Sequence, residues 1–166
     1  HNIDRVIEFT NFLSQSLNRS SIGIVTNVGG FSTNEFLPEA CRSRLYDLVA
    51  EAISILDFGN SHLLIQNMAP FPWHFGGQRY QNIFMDPLEI VEFCQRNDTK
   101  ICLDTSHLGM YSSWRESDFK EWFTRLLPWV GHIHLADSSG INGEGVPLGT
   151  GDLDVSWLAK QIPTSV

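Results

Sequence analysis

Nowhere in the 166 residues is there an apolar run of about 18 positions, and no basic stretch leads into a shorter one near the start. Neither a membrane span nor a secretory leader is expected, although His1 in place of methionine leaves room for a preceding segment. Basic residues are few, 11 against 19 acidic ones for a formal charge of -8, and they form no cluster. Duplex phosphates are held by a basic footprint, so nucleic acid is not the expected partner. Cysteine is also sparse: Cys41, Cys94 and Cys102 lie in separate apolar-patterned segments and none forms a CxxC pair. They read as reduced, buried thiols of a cytoplasmic protein, not as a disulfide framework or a zinc knuckle. With 42% hydrophobic and 18% charged residues, the chain has enough apolar material for one sizeable core, so 1–166 is expected to be a single domain.

What is present is an alternation of two periodicities. Ile3, Val6, Ile7, Leu13 and Leu17 recur at helical spacing behind Asn2 as a cap. A strand is predicted over 22–28, closed by Gly29 and Gly30. The next helix starts at Pro38, carries Cys41, Leu45, Leu48, Val49, Ala52, Ile53 and Leu56 as one stripe, and stops at Gly59. A second strand over 62–66 leads into a long aromatic loop over 67–85, whose composition argues for order. Asp86 and Pro87 open another helix, and Ile101 to Asp104 form a third strand, followed by a loop through Trp114. A helix over 116–129, a strand over 132–137, a glycine-rich loop over 138–151 and a short helix around Val155 and Leu158 complete the order. Alternation with connections too long for hairpins means parallel strands and right-handed crossovers, as an open α/β sheet or part of a barrel.

Parallel sheets place reactive groups at the carboxyl ends of their strands. The residues there are Asn27, Gln66, Asp104 and His134, all polar and all assigned to one rim. Asp104 also has a plainer reading as the cap of the following turn, with His107 facing solvent. His132 lies two residues before His134 and reads as a buried core histidine, while Asp137 points the other way and steadies a loop start. An aspartate oxygen and a neutral imidazole suit zinc or manganese, and the carboxylate also admits magnesium; two ligands need a third, for which the Gln66 carbonyl is a weak candidate. The glycine-rich loop lacks the Lys-Ser/Thr ending of a phosphate-binding loop.

Ile65-Gln66-Asn67-Met68, Leu103-Asp104-Thr105-Ser106-His107, the run from His132 to Ser138 and Leu148-Gly149-Thr150-Gly151 together resemble the xylose isomerase-like TIM-barrel superfamily. That group holds sugar-phosphate isomerases and epimerases and also abasic-site endonucleases. The resemblance implies an α/β fold, a partial (β/α)8 barrel covering about strands four to eight, as the C-terminal part of a barrel. It implies a divalent metal (Mn, Zn or Mg) held by Asp104, His134 and the residue at position 66. His107 matches a catalytic or substrate-binding residue, or one that binds a further metal. Asn27, Asn67, Trp73, His74 and Glu144 fall where the family contacts substrate, with the loop over 70–78 lying above the sugar.

Two positions depart from the pattern. Gln66 stands where the family has a proton-carrying glutamate, and Asn27 stands where the endonucleases have a metal-binding histidine. An amide does not accept a proton near neutral pH. Three readings follow: a metal-dependent isomerase or epimerase of a small sugar or sugar phosphate acting through an enediolate, a relative that binds a carbohydrate or metabolite without turnover, and an abasic-site endonuclease. The acidic charge and the aromatic loop favour the first over the third, and Gln66 favours the second.

Overall fold

Four parallel strands carry the rim. In the computed structural model, which describes residues 2–163, β1 (Ile22–Thr26), β2 (Ser61–Gln66), β3 (Ile101–Asp104) and β4 (Val130–His134) lie side by side in that order. The sheet curls into half a barrel, so the architecture is that of a partial TIM barrel. Around it run α1 (Asn2–Ser16), α2 (Glu39–Ser54), α3 (Pro87–Asn97), α4 (Thr105–Trp114), α5 (Phe119–Leu126) and α6 (Val155–Gln161). The core lies between strands and helices, where Ile65, Ile101 and Leu103 meet Phe93, Leu108, Phe123 and Leu126.

Register at β3 and β4 matters most for the rim. Ile101 pairs with Val130, but Cys102 pairs with His132 and Asp104 with His134, so the ladder skips Gly131. Side chains alternate faces with a period of two, so one extra residue exchanges which side chains share a face. Without the skip Asp104 would sit opposite Ile133; with it, carboxylate and imidazole become neighbours. Glycine suits the position because an added Cβ would lie 2.8 Å from Leu64 Cδ2.

Several sequence expectations change. The segment 105–114 is helix α4, not a loop, with Thr105 to Ser112 all buried. A helix enclosed on every side needs no apolar stripe and so leaves no helical period to read. The predicted strand over 132–137 instead ends at His134, and Asp137–Ser139 pairs with Gly143–Val146 as a hairpin inside the glycine-rich segment. β1 ends at Thr26, which leaves Asn27 exposed just beyond it. Cys41 is exposed, on the outer side of α2, whereas Cys94 and Cys102 are buried. His132, expected in the core, is exposed on the concave face beside a cavity of about 290 Å³ shared with Val25, His62 and Leu64.

The long loop over 67–85 is ordered, as its aromatic content suggests. Phe71 and Tyr80 pack on Phe36 and Trp114, with ring centroids 5.1 to 5.8 Å apart. Its Trp73–His74 and Gly77–Gln78 strands form a hairpin whose two turn residues, Phe75 and Gly76, have φ of 52° and 77°. Two successive positive φ values match the twist of adjoining strands.

Candidate active site

Asp104 is the hub of the rim, and its two oxygens have different partners. Oδ1 accepts from the backbone N–H of His107, capping α4, whose N-terminal dipole favours a negative charge there. Oδ2 faces the rim, accepts from Gln66 Nε2 at 3.1 Å and lies 3.9 Å from His134 Nδ1. The capping reading of this residue holds, and its second oxygen is left facing the rim.

Asn67, expected against substrate, is buried and turned toward the protein. Its Oδ1 accepts from the Asp104 backbone N–H at 2.6 Å and its Nδ2 donates to the Asp104 carbonyl at 3.1 Å. The Asn67 carbonyl in turn accepts from His107 Nδ1 at 2.7 Å. A carbonyl can only accept, so that contact puts a proton on Nδ1.

His107 is 5% exposed, and its other nitrogen meets the Glu144 carboxylate at 3.0 Å. Burial alone would lower the imidazole's pKa, but the Glu144 hydrogen bond, helped by Asp104 and the Asn67 carbonyl, raises it above the ordinary 6.5. The same bond holds Glu144 below its ordinary 4.5, against its own partial burial. Both directions favour the charged form of the pair over its neutral form. Glu144 arrives on the 137–146 hairpin, where Gly145 N–H also donates to Ser106 Oγ at 2.8 Å.

Asp137 secures that hairpin, as expected of a loop-steadying residue. Fully buried, it accepts from the backbone N–H groups of Ser138, Gly149, Gly151 and Leu153. Burial pushes its pKa up, and the four donors more than reverse this, leaving it lowered from the usual aspartate value.

Among the aromatic residues, Trp73 and Phe75 are exposed, and His74 packs beside Phe31 with centroids 5.3 Å apart. Gln78 Nε2 reaches Asn142 Oδ1 at 3.2 Å, joining the aromatic hairpin to the one that carries Glu144. Gln66, Asp104, His107, His134 and Glu144 are thus linked through direct contacts, whereas Asn27 stands apart from these bonds. Thr105 and Ser106 were missed as site residues; their only mark in the sequence is to be polar directly after a strand end.

Sequence comparison gives the family. The profile of the xylose isomerase-like TIM barrel family matches residues 2–164. The chain belongs to that family. Solved structures of similar shape include three proteins at low identity. One is a probable 3-DHS dehydratase involved in petrobactin synthesis from Bacillus anthracis, 17% identical with a TM-score of 0.61, the match covering 96% of this chain and 60% of that one. An L-ribulose 3-epimerase is 14% identical at TM-score 0.57, over 93% of this chain and 47% of that one. A D-allulose 3-epimerase from Methylomonas sp., in complex with D-allulose, is 14% identical at TM-score 0.52, over 92% and 48%. At these identities the likeness establishes the fold, and the chain spans about half to three fifths of the length of these barrels. Comparison with curated proteins gives no match. No helix among the described residues is long and apolar enough to cross a membrane.

The donor set can be tested against the metal that the family implies. Among the described residues, no group of three or more His, Cys, Asp and Glu side chains gathers to hold an ion. Asp104 Oδ2 and His134 Nδ1 nevertheless converge, with side chains 13% and 42% exposed. Turning the Gln66 amide end for end would put its oxygen where Nε2 now meets Asp104. One carboxylate, one imidazole and one amide oxygen suit part of the coordination sphere of a divalent ion, with the remaining positions left to water or substrate oxygens.

Proposed function

We propose that the chain carries part of the active site of a metal-dependent isomerase or epimerase acting on a small sugar or sugar phosphate. The observation that carries this reading is the Asp104–His134 pair, 3.9 Å apart on paired strand ends at the rim of a barrel of this family. A divalent ion held there would act as a Lewis acid toward a sugar carbonyl oxygen. With an amide at position 66, the base that takes the proton of the neighbouring carbon would come from another part of the full barrel. Asp104, His134 and the Gln66 amide oxygen would hold the ion. His107, whose Nδ1 proton is held by the Asn67 carbonyl, turns Nε2 toward Glu144, where a sugar hydroxyl or carbonyl oxygen can take the carboxylate's place. Trp73, His74 and Phe75 give a surface on which the apolar face of a sugar ring can stack.

The test has two parts. Titration of the chain with Mn²⁺ is expected to show micromolar binding, and Gln66→Glu should tighten it about tenfold by adding a charged ligand; an unchanged affinity removes Gln66 from the coordination sphere. Incubation of the full barrel with ketohexoses in D₂O, followed by NMR, is expected to show deuterium entering at the carbon beside the carbonyl. Binding of sugar without any exchange would instead support the second reading, a barrel that binds carbohydrate without turnover. Gln66 favours that reading because it supplies no base where the family has one. Asn27 and the charge of -8 argue against cleavage of abasic duplexes.

A further inference from the structure

At two successive strand ends the first residue past the strand uses its side chain to hold backbone at the next strand's site residue or two residues beyond it. Asn67 follows β2, and its amide closes a two-bond ring on the backbone N–H and C=O of Asp104, at the end of β3. Thr105 follows β3, and its hydroxyl donates to the Ala136 carbonyl at 2.6 Å, accepts from the Ala136 N–H at 3.1 Å and comes within 3.4 Å of the His134 carbonyl, just past β4. Both side chains are buried, at 2% and 0% exposure.

These contacts do what ladder hydrogen bonds would do if the strands ran on. The regular pairing of β2 with β3 stops at Gln66 and Cys102, and that of β3 with β4 stops at Asp104 and His134. Beyond those points each strand end would be free to splay, and the site residues stand on those ends. A side chain that satisfies both polar groups of one neighbouring residue fixes that residue's position, and in a buried setting it is costly to break.

We propose that Asn67 and Thr105 are positioning residues that aim Asp104 and His134, Asn67 by gripping the backbone of Asp104 itself and Thr105 by gripping Ala136, two residues past His134. The proposal rests on the reading of Asp104 and His134 as a metal-holding pair. Groups that orient metal ligands are typically worth 10- to 100-fold in affinity, so Asn67→Ala and Thr105→Val should each weaken Mn²⁺ binding by about tenfold or more. Thr105→Ser keeps the hydroxyl and should restore the wild-type value.

The measurement is Mn²⁺ titration by calorimetry on wild type and the three variants, with amide hydrogen exchange of Asp104 and Ala136 read by NMR. The expected result is faster exchange at Asp104 in Asn67→Ala and at Ala136 in Thr105→Val, alongside the weakened binding. A Thr105→Val protein that melts earlier yet binds Mn²⁺ as tightly as wild type overturns the proposal, because that is the signature of a purely structural contact. If Thr105→Val does not fold, Thr105→Ser and Thr105→Ala decide it: equal Mn²⁺ affinity in the two overturns it. Should wild type itself take up no Mn²⁺, the metal reading falls separately. The positioning claim is then judged on the His134 ring signals, which must shift or double in the Thr105 variant; unchanged signals overturn it.

Discussion

At the scale of single residues, the buried His107 depends on two acceptors for its charge, the Asn67 carbonyl and the Glu144 carboxylate. Its pKa is raised, so its share of the pair's stability is complete below the ordinary 6.5 and is lost as pH climbs through the raised value. The Glu144 pKa is lowered, so its share is complete above the ordinary 4.5 and is lost as pH falls through the lowered value. The pair is therefore strongest in the mildly acidic window between those two numbers. Glu144 is half open to solvent, which keeps the pair's worth to about 1 kcal/mol or less. Glu144→Gln should lower the melting temperature most in that window, and the gap to wild type should close on the alkaline side. Melting curves from about pH 5 to about pH 9 check this, and a gap that stays constant argues against the charged pair. Asp104 and His134 were legible in the sequence because a charged or imidazole residue at the end of an apolar run stands out. That they share a rim was legible too, but their direct pairing across the ladder was not, because the skipped Gly131 leaves no mark on the pattern of apolar residues.

At the scale of elements, α4 and the 137–146 hairpin define the wall of the site, and both lie where the sequence read as loop. Thr, Ser, His and Gly in α4 gave no helical stripe, because tertiary enclosure and the Asp104 cap take the place of amphipathicity. Two substitutions probe the join. Gly109 packs so closely on the hairpin that an added methyl would run into the Ser138 hydroxyl, so Gly109→Ala should cost roughly 1–3 kcal/mol by overpacking, read from the denaturant midpoint. Asp137→Asn keeps the shape but loses the charge that four backbone amides surround, and one of its atoms becomes a donor facing donors. The expected loss is on the order of 3 kcal/mol in urea unfolding, and a loss within error would show that the hairpin is held elsewhere. In contrast, the order of the four sheet strands and of most helices could be read in advance, since long apolar stripes and continuous apolar strands are the strongest periodic signals.

At the scale of the whole molecule, the half-barrel has a closed side and an open side. β1 and β4 are the outer strands of the sheet, and Phe9 and Phe12 on α1 and Leu17 just past it stand 60% or more exposed. The closed side hides two of the three thiols, and burial pushes both Cys94 and Cys102 up to about 12. Cys41, on the exposed face of α2, is the thiol open to reagent. A thiol reagent at neutral pH should therefore label one cysteine in the native chain and three after unfolding. Rapid labelling of all three without denaturant would mean that the sheet opens readily. The apolar patterning that announced three cysteines as buried was right for the two on strand and inner helix, and misled at Cys41 because a helix stripe is wide enough to reach its own rim.

The double duty of Asp104 has a consequence for how such barrels change over evolutionary time. One oxygen caps α4 and the other faces the rim, so removing the residue harms the scaffold whether or not any chemistry remains. A lineage that abandoned catalysis would still be held to its aspartate by the helix behind it. Gln66 carries no such obligation, since its side chain contributes a single bond to Asp104 Oδ2. In a barrel built this way, position 66 can change with little harm to the scaffold, and position 104 cannot.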